Sequence, residues 1–222
     1  MPDWGAHAER EKTRYRDGEA RLPGAEDQDA RQRQLTRMGN AAGGAGLAHL
    51  MNGDTELAGE WFDRAVARYR ESFELAPPGS WGRPIGMMKA RILAGDWDGA
   101  EADSRWTLEQ GAAEAESPIG RYAACLALLV LGRDEEARLL ADGLRTHADF
   151  PSSVGDALAF IAAQDPVGYI DAVESVLDSF ETRDEYLEDL PVADTVLVLQ
   201  ALAGHRDMAA ELNSPLLPRA PD

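Results

Sequence analysis

The sequence is poor in cysteine, in lysine and in long apolar runs. Its only cysteine, Cys125, excludes a disulfide framework and every zinc module built from several cysteines. The longest apolar stretch runs from Cys125 to Leu131 and is broken at Gly132, far short of the roughly 20 residues that a membrane-spanning helix needs. Residues 1–16 are charged and lack the apolar core of a secretory signal. We therefore expect a soluble cytoplasmic protein that has no membrane partner.

Basic residues are scarce and nearly all of one kind. The chain has 22 Lys and Arg against 40 Asp and Glu, a net charge of −18, and only Lys12 and Lys89 are lysines. This acidity argues against nucleic acid as a partner, because phosphates select for clustered basic side chains. A carboxylate-rich surface with almost no lysine suits a concentrated-salt cytoplasm, where ions screen self-repulsion. Codon bias in a GC-rich genome is the alternative, and we favour a halophilic, salt-adapted microorganism.

Composition divides the chain into three parts. Residues 5–30 contain few large apolar side chains and a Leu-Pro-Gly break at 22–24, which predicts a mobile or loosely docked N-terminal arm over residues 1–25. Residues 26–218 are expected to form a single α-helical repeat domain. A tail at 219–222 follows it.

Short breaks recur along the chain at the spacing of a helical repeat. After each break, apolar residues restart at i, i+3 and i+4, as in Leu57, Trp61 and Ala65. Glycine ends one helix because it tolerates positive φ, and aspartate begins the next by accepting from its free N–H groups. The five breaks are Asn52-Gly53-Asp54, Gly95-Asp96, Gly132-Arg133-Asp134, Gln164-Asp165-Pro166 and Gly204-His205. The spacing predicts an all-α fold of about five antiparallel helical hairpins stacked as a short solenoid.

The first helices of these pairs are predicted at 35–51, 85–94, 119–131, 154–163 and 192–203. Strand-like composition is confined to 195–199, which has helical flanks.

The helix after Gly53-Asp54 carries a small residue at Ala58, an aromatic at Trp61 and a second small residue at Ala65. Gly132, Glu136, Ala137 and Leu144 repeat this arrangement in part. Here the sequence resembles the tetratricopeptide repeat (TPR) family. The resemblance implies a TPR-like α-solenoid whose usual task is to hold another protein.

The C-terminal third combines Asp189-Leu190-Pro191-Val192, an apolar helix to Ala203, Arg206 and a closing Ser214-Pro215-Leu216-Leu217-Pro218. This region is similar to the end of Imm49-type immunity proteins. That resemblance implies a helical, non-enzymatic protein that neutralises a partner toxin by binding it.

The loop Pro77 to Pro84 places Trp81 beside Arg83, and Trp and Arg are the residue types most enriched in binding hot spots. The alternative is that Trp81 folds back into the core while Arg83 pairs with an acid. Lys89, Arg91 and Arg121 lie on predicted first helices, which usually line the concave surface of helical repeats. Together the five residues predict a basic strip that binds another protein, either a toxin or an acidic peptide segment.

We find no convergent catalytic, cofactor or metal motif, which favours a non-catalytic protein without a cofactor. Gly39, Gly43, Gly44 and Gly46 are interpreted as small residues that let two helices approach, because no strand precedes them and no Lys-Ser/Thr follows. Cys125 lies in an apolar helix and is interpreted as a buried small hydrophobe.

A small, hydrolase-like helical enzyme is the alternative function. It would use His49, Asp54 or Glu185 in an inter-helix groove. The neighbouring acids Glu185, Glu188 and Asp189 are interpreted as an acidic solvated linker rather than a cation site.

Overall fold

The computed structural model describes residues 2–219 and shows an all-α protein. Strand is absent from this range, and the β-branched segment 195–199 is helical. No helix in it has the length and apolar character to cross a membrane. Ten α-helices are present in the described range: α1 Trp4–Arg21, α2 Gln28–Asn52, α3 Thr55–Leu75, α4 Gly82–Ala94, α5 Trp97–Glu109, α6 Pro118–Val130, α7 Asp134–Arg145, α8 Ser152–Ala163, α9 Pro166–Glu181 and α10 Asp194–Gly204.

The residues of the predicted breaks lie where these helices begin and end. Gly53, Gly95 and Gly132 follow α2, α4 and α6 with φ of 85°, 72° and 67°, the left-handed conformation that glycine adopts without steric cost. Asp96 and Asp165 cap α5 and α9 by accepting from the backbone N–H three residues on, at 2.9 and 3.1 Å. Four of the five breaks therefore join two helices, as predicted.

The fifth break differs from the prediction. α10 ends at Gly204, and no further helix follows within residues 205–219. The residue that caps the end of α10 is His205, which has a right-handed backbone with φ of −64°. The last predicted hairpin thus consists of its first helix alone, and the stacked solenoid remains a prediction.

The chain separates into two compact units, whereas the sequence predicted one domain over 26–218. Among the described residues, the first unit contains 2–95, 185–192 and 215–219, and the second contains 96–184 and 193–214. Apart from residue 219, the predicted tail 219–222 lies outside the described residues.

In the first unit, α1 packs against α2, α2 against α3 and α3 against α4, and α4 also touches α2. Glycines on α2 make the approach of α3 possible. A Cβ at Gly39 would lie 2.7 Å from the Tyr69 ring, and one at Gly46 would lie 2.6 Å from the Phe62 ring. The interpretation as helix-contact residues is confirmed for Gly39 and Gly46, whereas a Cβ at Gly43 would meet only Tyr69 Oη, at 3.9 Å.

Helix α1 occupies most of the segment predicted as a mobile or loosely docked arm, and the structure corrects that prediction. Ala8 and Tyr15 are buried, and α1 packs on α2. The Tyr15 ring meets Trp61 edge-on, with centroids 5.5 Å apart, and its hydroxyl accepts from Arg68 Nε at 3.0 Å. Composition did not reveal this docking, because small and polar residues make most of the contact. Residue 1 lies outside the described range.

In the second unit, consecutive helices again pack together, and α10 touches both α8 and α9. In helix α6, every residue from Tyr122 to Leu129 is buried. Arg206, just after α10, pairs with Asp134 at the start of α7 and donates to the Leu129 carbonyl at 2.8 Å. This part-buried ion pair fixes the end of α10 to the segment between α6 and α7.

Candidate functional site

Trp81 is not presented to solvent as the hot-spot prediction requires. Its side chain is only 8% exposed, and its ring centroid lies 6.0 Å from that of Phe73 on α3. The structure therefore matches the alternative, in which Trp81 folds back into the core. As a buried anchor it positions the start of α4 and the neighbouring Arg83.

Arg83 is half-buried between α2, α3 and α4 and bonds to neutral oxygens. Its Nε donates to Ser72 Oγ at 3.1 Å, and its Nη2 donates to Gln32 Oε1 at 2.5 Å. Within residues 2–219 it forms no ion pair, in contrast to the expected pairing with an acid. Burial without a compensating carboxylate lowers the pKa of Arg83 below its ordinary value.

Of the other three predicted cations, Arg91 pairs with an acid, whereas Arg121 is half-buried like Arg83 and also bonds to a neutral oxygen. Arg91 on α4 pairs with Asp63 of α3 at 2.7 Å. Lys89 is half-buried on the same helix. Arg121 lies near the start of α6 in the second unit and donates to the Ala115 carbonyl at 3.3 Å. Four of the five predicted site residues therefore belong to the first unit.

The His and Asp named for the enzymatic alternative do meet. His49 Nδ1 lies 3.5 Å from Asp54 Oδ2, at the outer limit of a hydrogen bond. The Asp54 carboxylate makes no capping bond to α3 and instead accepts from Asn52 Nδ2 at 2.8 Å. Hydrogen bonds from Asn52 and His49 hold the pKa of Asp54 below its ordinary value. His49 Nε2 is buried, with no hydrogen-bond partner among the described residues.

A third polar cluster involves residues that sequence analysis did not select. Glu11 of α1 is fully buried and accepts from Arg10 Nε at 2.8 Å and from Arg14 Nη1 at 3.0 Å. Arg14 also binds Glu188 Oε2 at 2.9 Å, and Asn40 Nδ2 of α2 donates to Glu188 Oε1 at 3.3 Å. The linker prediction is therefore wrong for Glu188, whereas the neighbouring Asp189 side chain is 80% exposed, as predicted.

Only weak signals in the sequence point to this cluster. Asparagine is rare, and Asn40 lies in the glycine- and alanine-rich stretch 39–48 of α2. Arg10 and Arg14 are one helical turn apart, which places both on one face of α1. Their acceptor follows 174 residues after Arg14, and local spacing carries no information on such a contact.

Cys125 is buried in α6, as predicted, and burial raises its pKa to about 12. No three His, Cys, Asp or Glu side chains in the described part of the chain lie close enough together to hold a metal ion.

No protein-family model, curated protein or solved structure matches the chain. The resemblances to tetratricopeptide repeats and to immunity proteins therefore depend only on the residues quoted above.

Proposed function

We propose that this chain is a non-catalytic, protein-binding helical module, and that its first unit accepts a carboxylate of the partner at Arg83. The observation that carries the proposal is a half-buried guanidinium whose described partners are all neutral. In a chain with 40 acidic residues, an arginine without a carboxylate is a position where an external acid would complete the pairing.

The geometry of Arg83 supports this role. Ser72 and Gln32 hold the edge of the guanidinium formed by Nε and Nη2, which fixes its plane, and Nη1 makes no hydrogen bond to a described residue. A carboxylate that binds such a pre-oriented fork forms charge-assisted bonds without ordering the side chain anew. A partly desolvated charge also gains more from pairing than a solvated one.

The resemblance to immunity proteins favours a toxin as the partner. Co-expression with a toxin encoded next to this gene tests that version. Survival of cells carrying both proteins supports it, and death despite high expression of this protein contradicts it.

Peptide selection tests the binding proposal without knowledge of the partner. Random peptides displayed on phage and selected on the full-length chain should be rich in Asp and Glu or end in a free carboxylate. Arg83→Gln should weaken the selected peptides by about tenfold or more, because it removes at least one charge-assisted hydrogen bond. Fluorescence anisotropy with the labelled peptides measures this loss.

Arg91→Gln is the matched control, because Arg91 lies on the same helix but already pairs with Asp63. It should leave the selected peptides bound. Equal affinities for the wild type and for Arg83→Gln would contradict the proposed role of Arg83.

A hydrolase-like enzyme is the second candidate, favoured by the His49–Asp54 pair. An Asp that holds His Nδ1 leaves Nε2 as the basic atom, and that is the arrangement of a general base. Hydrolysis of an activated ester that Asp54→Asn abolishes would identify this candidate.

A further inference from the structure

The structure points to a second binding site, for which the chain carries its own competitor. We define the strap as residues 185–192 and the polar site as Arg10, Arg14 and Asn40. We propose that the polar site accepts an acidic segment of a partner protein, and that the strap occupies it until the partner displaces it. The inference rests on the proposed protein-binding role but not on Arg83.

Residues other than the strap orient the side chains of the polar site. Glu11, fully buried, accepts from both Arg10 and Arg14 and so fixes the two guanidinium groups on one face of α1. Tyr69 Oη donates to Asn40 Oδ1 at 3.0 Å, which turns the Asn40 NH₂ group toward the strap. These bonds all remain when the strap leaves, so the site is organised before it binds anything.

The strap binds there through groups that any acidic peptide possesses. Glu188 supplies a carboxylate to Arg14 and Asn40, at 2.9 and 3.3 Å. Arg10 Nη2 donates to the backbone carbonyls of Glu188 and Asp189, at 2.6 and 3.4 Å. Buried apolar side chains follow at Leu190 and Val192. A peptide with Glu followed by apolar residues two and four positions later reproduces this set.

Backbone strain weakens the strap as an occupant. Glu188 and Asp189 have φ of 56° and 53°, in the left-handed region that non-glycine residues disfavour. A free peptide is not tied to the chain on both sides and avoids this cost. The strap retains the advantage of an intramolecular ligand, whose effective concentration is on the order of millimolar. Without the Glu188 carboxylate, peptides should therefore bind the polar site at a lower concentration than they need for the wild type.

The test uses a fluorescein-labelled peptide with the strap sequence, Glu-Tyr-Leu-Glu-Asp-Leu-Pro-Val, and the full-length chain. Fluorescence anisotropy should show about tenfold tighter binding to Glu188→Ala than to the wild type, because the competing carboxylate is gone. Adding Arg14→Gln to Glu188→Ala should abolish the gain. A peptide with glutamine in place of its second glutamate should bind weakly to every variant.

Two further measurements separate this proposal from a loss of folding and from the proposal for Arg83. Circular dichroism must show unchanged helix content in Glu188→Ala. Amide exchange of residues 185–192 in the wild type should accelerate when excess unlabelled peptide is added. Arg83→Gln combined with Glu188→Ala should still bind the strap peptide, so failure of one site leaves the other testable.

Three results would overturn the proposal. The first is equal affinity of the peptide for the wild type and Glu188→Ala, or no binding to either. The second is tight binding that survives Arg14→Gln. The third, decisive even if Glu188→Ala fails to fold, is an exchange rate of the strap that the peptide leaves unchanged.

Discussion

Trp81 and Arg83 lie two positions apart, yet they have different physical roles. The Trp81 ring packs against Phe73 with almost no exposure, so its main contribution is to stability. Arg83 remains half-exposed with an edge of its guanidinium unpaired by any described acid. At the scale of single residues, we therefore assign the proposed partner binding to Arg83 and a contribution to the stability of the fold to Trp81.

This division predicts a large stability loss for Trp81→Ala. Removing a buried Trp side chain forfeits its burial and leaves a cavity, which costs about 3–5 kcal/mol in the free energy of unfolding. Urea denaturation followed by circular dichroism measures that change. Leu139→Ala is the control, because Leu139 is 76% exposed and should change stability by less than about 0.5 kcal/mol. A Trp81→Ala variant as stable as the wild type would contradict the structural role of Trp81.

The sequence shows which residue types are present at the predicted site. It does not show whether each side chain points into the core or toward solvent. Trp next to Arg in a proline-rich loop fits a hot spot and a core anchor equally well. Only the position of Phe73 on α3 decides between them, and that is a tertiary contact. The same limit applies to Glu188, whose partners Arg14 and Asn40 lie far away in sequence.

At the scale of helices, the joints were predictable because their causes are local. The helix ends depend only on the positive φ of a single glycine, at Gly53, Gly95 and Gly132. The capped helix starts depend only on a hydrogen bond to the following turn, at Asp96 and Asp165. Docking of α1 and the missing partner of α10 were not predictable, because they depend on which distant surface covers an apolar face. The local sequence therefore predicts where helices begin and end, whereas contacts between distant residues determine how the helices pack.

Two glycines on neighbouring helices test this distinction. Gly46 on α2 faces the Phe62 ring, and a Cβ there would come within 2.6 Å of it. Gly46→Ala should therefore lower the free energy of unfolding by about 1–3 kcal/mol through overpacking. Gly59 on α3 has no atom within 4 Å of its Cβ position. Gly59→Ala should raise stability by about 0.5–1 kcal/mol, because alanine favours a helix more than glycine does.

Thermal denaturation of both variants measures the opposite signs. A stabilising Gly46→Ala would show that α2 and α3 are farther apart than the ring contact indicates. A destabilising Gly59→Ala would show that its position is covered.

At the scale of the whole molecule, the net charge of −18 dominates the electrostatics. Several ion pairs among residues 2–219 join exposed side chains on neighbouring turns, as between Arg105 and Glu101 or Arg133 and Glu136. Such pairs contribute little individually, about 0–1 kcal/mol, and salt weakens them further. A net charge of −18 also produces self-repulsion, which acts against the folded state.

Salt should therefore stabilise this protein at neutral pH. Raising KCl from about 0.1 M to about 1 M shortens the Debye length from about 10 Å to about 3 Å, which screens carboxylate repulsion more than it weakens short ion pairs. The melting temperature should rise steadily over this range. The same titration near the isoelectric point, about pH 4.5, is the control, because the net charge there is close to zero. A rise confined to neutral pH identifies charge screening, whereas an equal rise at both pH values identifies a general salt effect on apolar burial. A melting temperature that is flat or falls with salt at neutral pH would contradict the salt-adapted interpretation.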